Sequence, residues 1–391
     1  MLRSRTRLGN LLSLILLLLI VIVMILQYIP TNTVVYLPGP AEEIGPMVEG
    51  GTRNENEGRF LLTAVYQSYP NMLGYLRLLF NPHAEFHQRE EVFAEGEDEA
   101  QYTSRQMVNM MGSQSNAIMA VYEELGIPYH FKDQGLYVQQ VMEGYSVDGV
   151  LEAWDRLDAV DGELIKSYAD LESFLNQKQE GDVITLTYTR GGVQHAADIE
   201  LKKLPPVEES DGDNRSSEGS ETEERTGGPT VGMGVGLLIM KTVEADDEEH
   251  RVTITTEDIG GPSAGIMFAL EIYNRFVPED ISKGYTIAGT GEISPQGEVG
   301  VIGGIRHKVI GADMAGADIF LAPADYVNEE HNLTIPNYSE ALATAQQIGS
   351  NMQIVEVRNL SDALEFLRQL PPKNNDAEAM VSGREGQPEA A

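Results

Sequence analysis

The sequence contains no cysteine, which excludes disulfide bonds, a catalytic thiol and thiolate metal ligands. Basic residues are also scarce, because 27 Lys and Arg stand against 61 Asp and Glu and give a formal net charge of −34. A surface this acidic repels nucleic-acid phosphates, so we expect no nucleic-acid partner. A Gly-x-x-x-x-Gly-Lys-Ser/Thr phosphate loop is absent too, which argues against an ATP-driven motor.

One long apolar run lies near the N-terminus. It extends from Leu11 to Ile29 with only Ser13 and Gln27 as interruptions, which suffices to cross a hydrocarbon layer of about 30 Å. Three arginines precede it, and positive flanks stay in the cytoplasm. We therefore predict that residues 1–30 are a single-pass anchor in the cell membrane, with a cytoplasmic N-terminus and the rest of the chain extracellular. A cleaved signal peptide is the alternative, but small residues of a cleavage site are missing.

Residues 31–128 combine strands with a helix. Val34–Leu37 is predicted to be a strand that ends at the turn signature Pro38-Gly39-Pro40. Gly58–Val65 is predicted to be a second strand, and apolar residues spaced near 3.6 predict a helix over 103–125.

Composition sets the remaining boundaries. Residues 129–205 are predicted to form a compact, β-rich unit. Its last two strands are indicated by alternation of apolar and polar residues. Residues 206–230 alternate acidic residues with Ser and Gly and are expected to form a disordered linker, as is the tail 371–391. Residues 231–370 alternate strands and helices, which predicts an α/β domain.

The motif Gly-Gly-Pro-Ser-Ala-Gly at 260–265 lies between a predicted strand and an apolar helix. Ser263 is therefore expected at a helix N-terminus, where unpaired backbone amides and the helix dipole can stabilise an oxyanion. Serine is also a common helix cap. From this motif alone, a nucleophile and a cap remain alternatives.

A lysine lies on the apolar face of the helix predicted for Ile305–Ala315. Lys308 shares this face with Val309 and Ala312. Burial would lower the pKa of the amine, as a general base near neutral pH requires. Snorkelling of the charge to water is the alternative.

Three motifs together resemble the proteolytic domain of Lon-type serine proteases in order and spacing: 260–265, Thr290-Gly291-Glu292-Ile293, and Gly-Gly-Ile-Arg-His-Lys at 303–308. The resemblance implies that Ser263 is the nucleophile and Lys308 the general base. It also implies that Thr290 orients Lys308 through a hydrogen bond.

One departure concerns the carboxylate before the serine. Lon proteins usually carry Asp-Gly before Pro-Ser, whereas this chain has Gly260-Gly261, with Asp258 further back. Whether a carboxylate lies near Ser263 and Lys308 is therefore open.

The unit at 129–205 resembles a PDZ domain. The resemblance implies that a peptide adds to the sheet along the backbone of Gly135, Leu136, Tyr137 and Val138. Trp154 stands where PDZ domains usually carry a glycine. A packing module without a ligand is the alternative.

One anchor, one PDZ domain and one Lon-type domain without an ATPase resemble the YlbL/SepM-type proteases of Gram-positive bacteria. The resemblance implies an ATP-independent, membrane-anchored serine endopeptidase that cleaves extracytoplasmic peptides or proteins presented by its PDZ domain, with no cofactor. The implied fold is an α/β (α+β) Lon-type domain, with the PDZ domain inserted in it or preceding it, and one transmembrane helix. We expect residues 33–125 to fold together with 231–370. Homo-oligomerisation stays open.

Two alternatives come from other functional classes. A non-catalytic PDZ scaffold would keep the Lon-like domain only for its shape. A zinc peptidase would use His83, Glu85 and His87, but their His-x-Glu-x-His order is not the His-Glu-x-x-His of a zinc-binding helix. We therefore expect no metal site.

Overall fold

The computed structural model describes residues 2–51, 58–94, 97–190, 193–204, 231–256, 259–328 and 333–373. The predicted acidic linker, Asp258 and residues 374–391 of the predicted tail lie outside these ranges.

Within the described residues the helices are α1 (Leu2–Tyr28), α2 (Met72–Leu78), α3 (Arg89–Val92), α4 (Glu99–Leu125), α5 (Tyr168–Leu175), α6 (Gly265–Phe276), α7 (Ile305–Met314), α8 (Tyr338–Ile348) and α9 (Leu360–Gln369), with a 3-10 turn at Gly45–Met47.

The strands are β1 (Thr33–Glu43), β2 (Val48–Gly50), β3 (Arg59–Ser68), β4 (Glu85–Gln88), β5 (Tyr129–Val141), β6 (Arg156–Val160), β7 (Glu163–Leu164), β8 (Val183–Arg190), β9 (Val193–Glu200), β10 (Lys202–Lys203), β11 (Val231–Gly232), β12 (Val235–Ala245), β13 (Val252–Ile254), β14 (Thr286–Gly289), β15 (Glu292–Ile293), β16 (Val299–Gly300), β17 (Ile319–Pro323), β18 (Tyr326–Asn328), β19 (Leu333–Ile335) and β20 (Gln353–Val357).

The chain divides into two compact units. The first contains residues 1–98, 116–128 and 245–391, and the second contains residues 99–115 and 129–244.

The first unit is built on a six-stranded sheet in the order β20-β17-β14-β3-β1-β4. The four strands from β20 to β3 are parallel, while β1 runs antiparallel to β3 and β4 runs antiparallel to β1. Because β3 pairs directly with β14, the N-terminal segment and the C-terminal α/β segment share one sheet.

The predicted turn at Pro38-Gly39-Pro40 is wrong, because β1 continues through these residues with a register shift between Pro38 and Ala41. A bulge tolerates proline, since one residue there needs no ladder partner. Gly39 lies in this bulge, where neighbouring backbone comes close to it. A Cβ on Gly311 of α7 would lie 2.5 Å from the Gly39 oxygen, so Gly311 lets α7 approach β1, whereas a Cβ on Gly39 would lie 2.6 Å from the Ala64 oxygen of β3.

Helix α6 is buried along nearly its whole length, from Gly265 to Arg275. Arg275 forms a buried ion pair of 2.9 Å with Glu271 and donates to the Gly45 and Gly50 carbonyl oxygens. Buried helices of this kind hold their ends rigidly, since interiors are close-packed. The turn before α6, which contains Ser263, is therefore fixed by the core.

The second unit contains a sheet in the order β12-β5-β6-β8-β9, with β7 paired to β6. Arg190 on β8 donates to both carboxylate oxygens of the buried Asp155, at 2.7 and 2.6 Å. The bidentate pair fixes the turn before β6. Trp154 holds φ at 75°, so this tryptophan adopts the left-handed backbone conformation that favours glycine.

Strand β12 departs from the predicted domain boundary at residue 231. Residues 235–244 pair with β5 in the second unit, not with the α/β segment that follows them. Met142 N donates to Gly234 O at 2.8 Å, and Gly236 lies against Gln140, so the two strands run antiparallel. The boundary could not be seen in the composition, because β12 resembles the strands of the α/β segment.

Helix α1 covers the predicted anchor. Among the residues whose side chains are described, which begin at Leu12 in this helix, no helix is long and apolar enough to cross a membrane.

Candidate active site

Three separate elements bring their side chains and backbone together at one point of the first unit. Lys308 on α7 places its Nζ 2.9 Å from Ser263 Oγ, which lies in the turn before α6. The same Nζ donates to the carbonyl oxygen of Thr63 on β3 at 2.6 Å. Two residues that are 45 positions apart are thus in direct contact.

Ser263 does not cap the helix that follows it. The N-cap of α6 is Ala264, and no side chain makes a capping hydrogen bond there. Ser263 is half-buried, and its hydroxyl meets Lys308 instead. Gly261 holds φ at 92°, so glycine permits the sharp turn that presents the serine. The capping alternative is therefore wrong.

The carbonyl oxygen of Ser263 is held from two sides. Thr290 Oγ1 donates to it at 2.9 Å, and Gly291 N donates to it at 2.7 Å. The predicted hydrogen bond from Thr290 to Lys308 is not the one found. Thr290 follows β14 directly, so its fully buried hydroxyl meets the backbone of the serine turn. It therefore positions Ser263, not the lysine.

Lys308 is buried, with 4% of its surface exposed. Burial penalises the charged form and lowers the pKa of the amine from 10.5 to about 7. The snorkelling alternative is therefore wrong. At neutral pH a large fraction of this lysine is a neutral amine with a free electron pair.

The carbonyl group of Thr63 was missed by sequence reasoning. It accepts one N–H of Lys308, which orients the amine so that its electron pair can face Ser263 Oγ. The Thr63 hydroxyl in turn donates to Gly289 O at 3.0 Å across the sheet. A backbone oxygen carries no sequence signal, and β3 lies 245 residues before Lys308. Only the pairing of β3 with β14 could have indicated it.

Backbone amides next to the serine are available for an oxyanion. Among the described residues, the N–H groups of Ser263 and Ala264 find no hydrogen-bond acceptor. Both lie at the start of α6, where the positive end of the helix dipole adds to their effect. Such a pair of donors can stabilise the negative oxygen of a tetrahedral intermediate.

His307, the neighbour of Lys308, is completely buried and faces β4. Its Nε2 lies 2.9 Å from a carboxylate oxygen of Glu85, whose other oxygen lies 3.2 Å from His87 Nε2. Burial lowers the pKa of His307, and the adjacent Glu85 opposes the shift. The contact ties α7 to β4 and so helps to hold Lys308 in place. In the described part of the chain, no group of His, Asp and Glu is arranged to hold a metal ion.

The four residues predicted to bind a peptide lie on β5 of the second unit. Gly135 holds φ at 145°, and Leu136 and Val138 are buried in the core of this unit. Val138 N donates to Asp155 O at 2.8 Å on the side of β6. The other edge of β5 is paired with β12 of the same chain. The edge predicted to receive a peptide is therefore occupied by a strand, which composition did not reveal.

Two segments of the chain match known families. Residues 247–367 match the Lon protease (S16) C-terminal proteolytic domain. Residues 123–201 match the PDZ domain. The first match includes Ser263, Thr290 and Lys308, and the second includes Gly135–Val138.

Lon proteases are among the curated relatives of the chain. The chain is 41% identical over 69 residues to the mitochondrial Lon protease homolog of Debaryomyces hansenii, which is 18% of this chain and 6% of that protein. It is 33% identical over 107 residues to Lon protease of Mesomycoplasma hyopneumoniae (27% and 11%). It is 30% identical over 128 residues to Lon protease of Helicobacter pylori (32% and 14%). The chain thus spans a small part of each relative.

Some solved structures are similar to part of the chain. A PDZ domain of an SdrC-like protein from Listeria monocytogenes is 24% identical with a TM-score of 0.20, covering 27% of this chain and 87% of that chain. A solution structure from Geobacillus thermodenitrificans is 38% identical with a TM-score of 0.18, covering 18% and 82%.

Replacing Lys308 by Met should stabilise the protein. Each pH unit by which the pKa of Lys308 lies below its ordinary value costs about 1.4 kcal/mol while the unfolded chain binds the proton. Between about pH 7 and 10.5 the native state binds fewer protons than the unfolded state, so the parent gains stability as pH rises. We therefore expect Lys308→Met to raise the free energy of unfolding by several kcal/mol at neutral pH, with an advantage that shrinks towards alkaline pH.

Denaturant unfolding of the full chain at neutral and alkaline pH measures this difference. Arg358→Met is a matched control, because that side chain is 67% exposed and should change stability little. A Lys308→Met protein that is less stable than the parent at both pH values would show that the buried amine is stabilising, contrary to this account.

Proposed function

We propose that the protein is an ATP-independent serine endopeptidase in which Ser263 is the nucleophile and Lys308 the general base. The observation that carries the proposal is the 2.9 Å contact between Ser263 Oγ and a buried lysine amine with a pKa of about 7. A scaffold would have no use for a buried lysine, because burial of an amine costs stability. The absence of a phosphate loop supports independence from ATP.

The contacts give each residue a role in the reaction. Neutral Lys308 takes the proton of Ser263 Oγ as the oxygen attacks the scissile carbonyl carbon. The amides of Ser263 and Ala264 stabilise the oxyanion, and Thr290 holds the serine backbone still. Protonated Lys308 donates its new proton to the leaving amine, and Thr63 O keeps the ammonium oriented. Water then hydrolyses the acyl-enzyme through the same base.

The second unit supplies peptide recognition in this proposal. An extended peptide adds to the sheet beside Gly135–Val138, as PDZ domains bind their ligands. Because β12 occupies that edge, the peptide joins β5 only when β12 leaves it. The ion pair between Arg190 and the buried Asp155 holds the neighbouring turn in either case.

Anchoring in the cell membrane, with the protease outside the cytoplasm, belongs to the same proposal. It is supported by the apolar run from Leu11 to Ile29 and by the three arginines before it. The described side chains from Leu14 to Ile25 in α1 are all large, apolar and at least 37% exposed. A protein of this organisation resembles the YlbL/SepM-type proteases.

Ser263→Ala should abolish proteolysis. Without Oγ there is no nucleophile, and we expect the rate of casein cleavage by the full chain in detergent to fall by at least a factor of about 1,000. A fluorophosphonate probe should label the parent and not the variant. Ser361→Ala, which removes an exposed serine on α9, is the matched control and should cleave like the parent.

Persistence of cleavage in a folded Ser263→Ala protein would overturn the assignment of the nucleophile. A parent that neither cleaves casein nor reacts with the probe would support the scaffold alternative.

Cleavage should rise with pH and then level off. Below a pKa of about 7 Lys308 is protonated and cannot take the serine proton, so the rate should increase roughly tenfold per pH unit there. Above that pKa the amine is neutral and the rate should be constant. The measurement is kcat/KM on a fluorogenic peptide across acidic to alkaline pH. A profile that is flat over this range would exclude Lys308 as the base.

A further inference from the structure

Helix α2 and the residues after it form an exposed apolar surface on the first unit. Leu76, Leu79 and Phe80 are 40, 52 and 88% exposed, and Arg77 between them is exposed too. These three apolar side chains, which we call the α2 patch, are adjacent in the chain and face solvent together. Neighbouring large apolar side chains at such exposure mark an interaction surface.

Hydrogen bonds tie the start of α2 to the end of α1. Met72 N donates to Ile29 O at 2.8 Å, and the Asn71 side chain donates to Gln27 O at 2.9 Å. Thr31 Oγ1 donates to Pro70 O from the other direction. Helix α2, which carries the α2 patch, therefore begins beside the end of the apolar helix α1. These hydrogen bonds hold the two helix ends together.

Acidic residues are absent from the same two segments. The chain carries 61 acidic residues, yet none lies in residues 1–41 or 58–84, the segments that contain α1 and α2. The surface of a membrane is negative where anionic lipids are present, so acidic side chains are repelled from it. An arginine beside apolar side chains suits such a surface, since it can reach phosphates while its stem stays in contact with hydrocarbon.

Aromatic side chains complete the pattern. Tyr28 at the end of α1 is 82% exposed, and Tyr66 and Tyr69 just before α2 are 60 and 37% exposed. Tyrosine is enriched at the level of lipid headgroups, because its ring is apolar and its hydroxyl is polar.

We propose that the α2 patch inserts into the outer leaflet of the membrane beside the exit of α1, as a second, peripheral contact with lipid. The inference rests on the proposed anchoring by α1. Insertion of the α2 patch also holds the active site near the membrane. Strand β3 connects Thr63 at the active site with Ser68 shortly before α2, and this path is about 17 Å long in an extended strand. The serine and lysine then act close to the membrane surface, so substrate segments near that surface are favoured.

The lack of cysteine allows a direct test with single introduced cysteines. Phe80→Cys and Leu76→Cys are made in the full chain, labelled with a nitroxide and reconstituted in vesicles that contain anionic lipid. Collision of the label with oxygen, which concentrates in hydrocarbon, is compared with collision with a water-soluble nickel chelate. Leu18→Cys in α1 reports on the anchor, and Met314→Cys, 79% exposed on α7, is the aqueous control.

We expect labels at Phe80, Leu76 and Leu18 to favour oxygen severalfold more than the label at Met314. A label at Leu18 in lipid with labels at Phe80 and Leu76 in water would overturn this inference and leave the anchor intact. A label at Leu18 that is not in lipid would overturn the anchoring itself. Labels at Phe80 and Leu76 shielded from both reagents would show that protein, such as a second copy of the chain, covers the α2 patch, and would overturn the inference.

Discussion

The burial of one amine, Lys308 Nζ, is the constraint on which the proposed chemistry depends. A charged ammonium group in that position would cost free energy because it is removed from water. This cost lowers the pKa of the amine to about 7. Among the described residues, the amine has two hydrogen-bond partners, which are the carbonyl oxygen of Thr63 and the hydroxyl of Ser263. The site is therefore apolar enough to keep lysine neutral and polar enough to orient it.

The surrounding architecture serves this geometry by close packing. Gly311 lets α7 approach the bulge in β1, and Gly289 lets α6 approach β14, since a Cβ there would lie 2.6 Å from Met267 Sδ. His307 ties α7 to β4 from the other side. The serine and lysine are thus set by helices that rest on the same sheet, so their separation is as rigid as the core.

Much of the site could be predicted from the sequence because its parts lie in short motifs. The turn at 260–265 and the lysine on an apolar helix face both carry local signals, and the structure brings Ser263 and Lys308 together. Thr290 was expected at the lysine but holds the serine carbonyl, because the direction of a buried hydroxyl depends on tertiary contacts. Thr63 acts through a backbone oxygen, which no residue pattern can indicate.

The fold was predictable in its elements and less so in its pairings. The predicted helix over 103–125 lies within α4, and the predicted strand at 58–65 overlaps β3. The continuation of β1 through Pro38-Gly39-Pro40 and the return of β12 to β5 were not expected, because bulges and long-range strand pairs are decided by partners distant in the chain. The second case matters for function, since β12 fills the edge that resemblance to PDZ domains assigned to a peptide.

The central claim, a lysine that is neutral near physiological pH beside a serine, is tested most directly by NMR titration of the lysines. The full chain would be labelled with [ε-¹³C]lysine, and Lys308→Arg would assign the resonance of Lys308. The account predicts one lysine resonance that titrates at about 7 and is missing from the spectrum of the variant. Titration of every lysine near 10.5, with the protein folded, would contradict it.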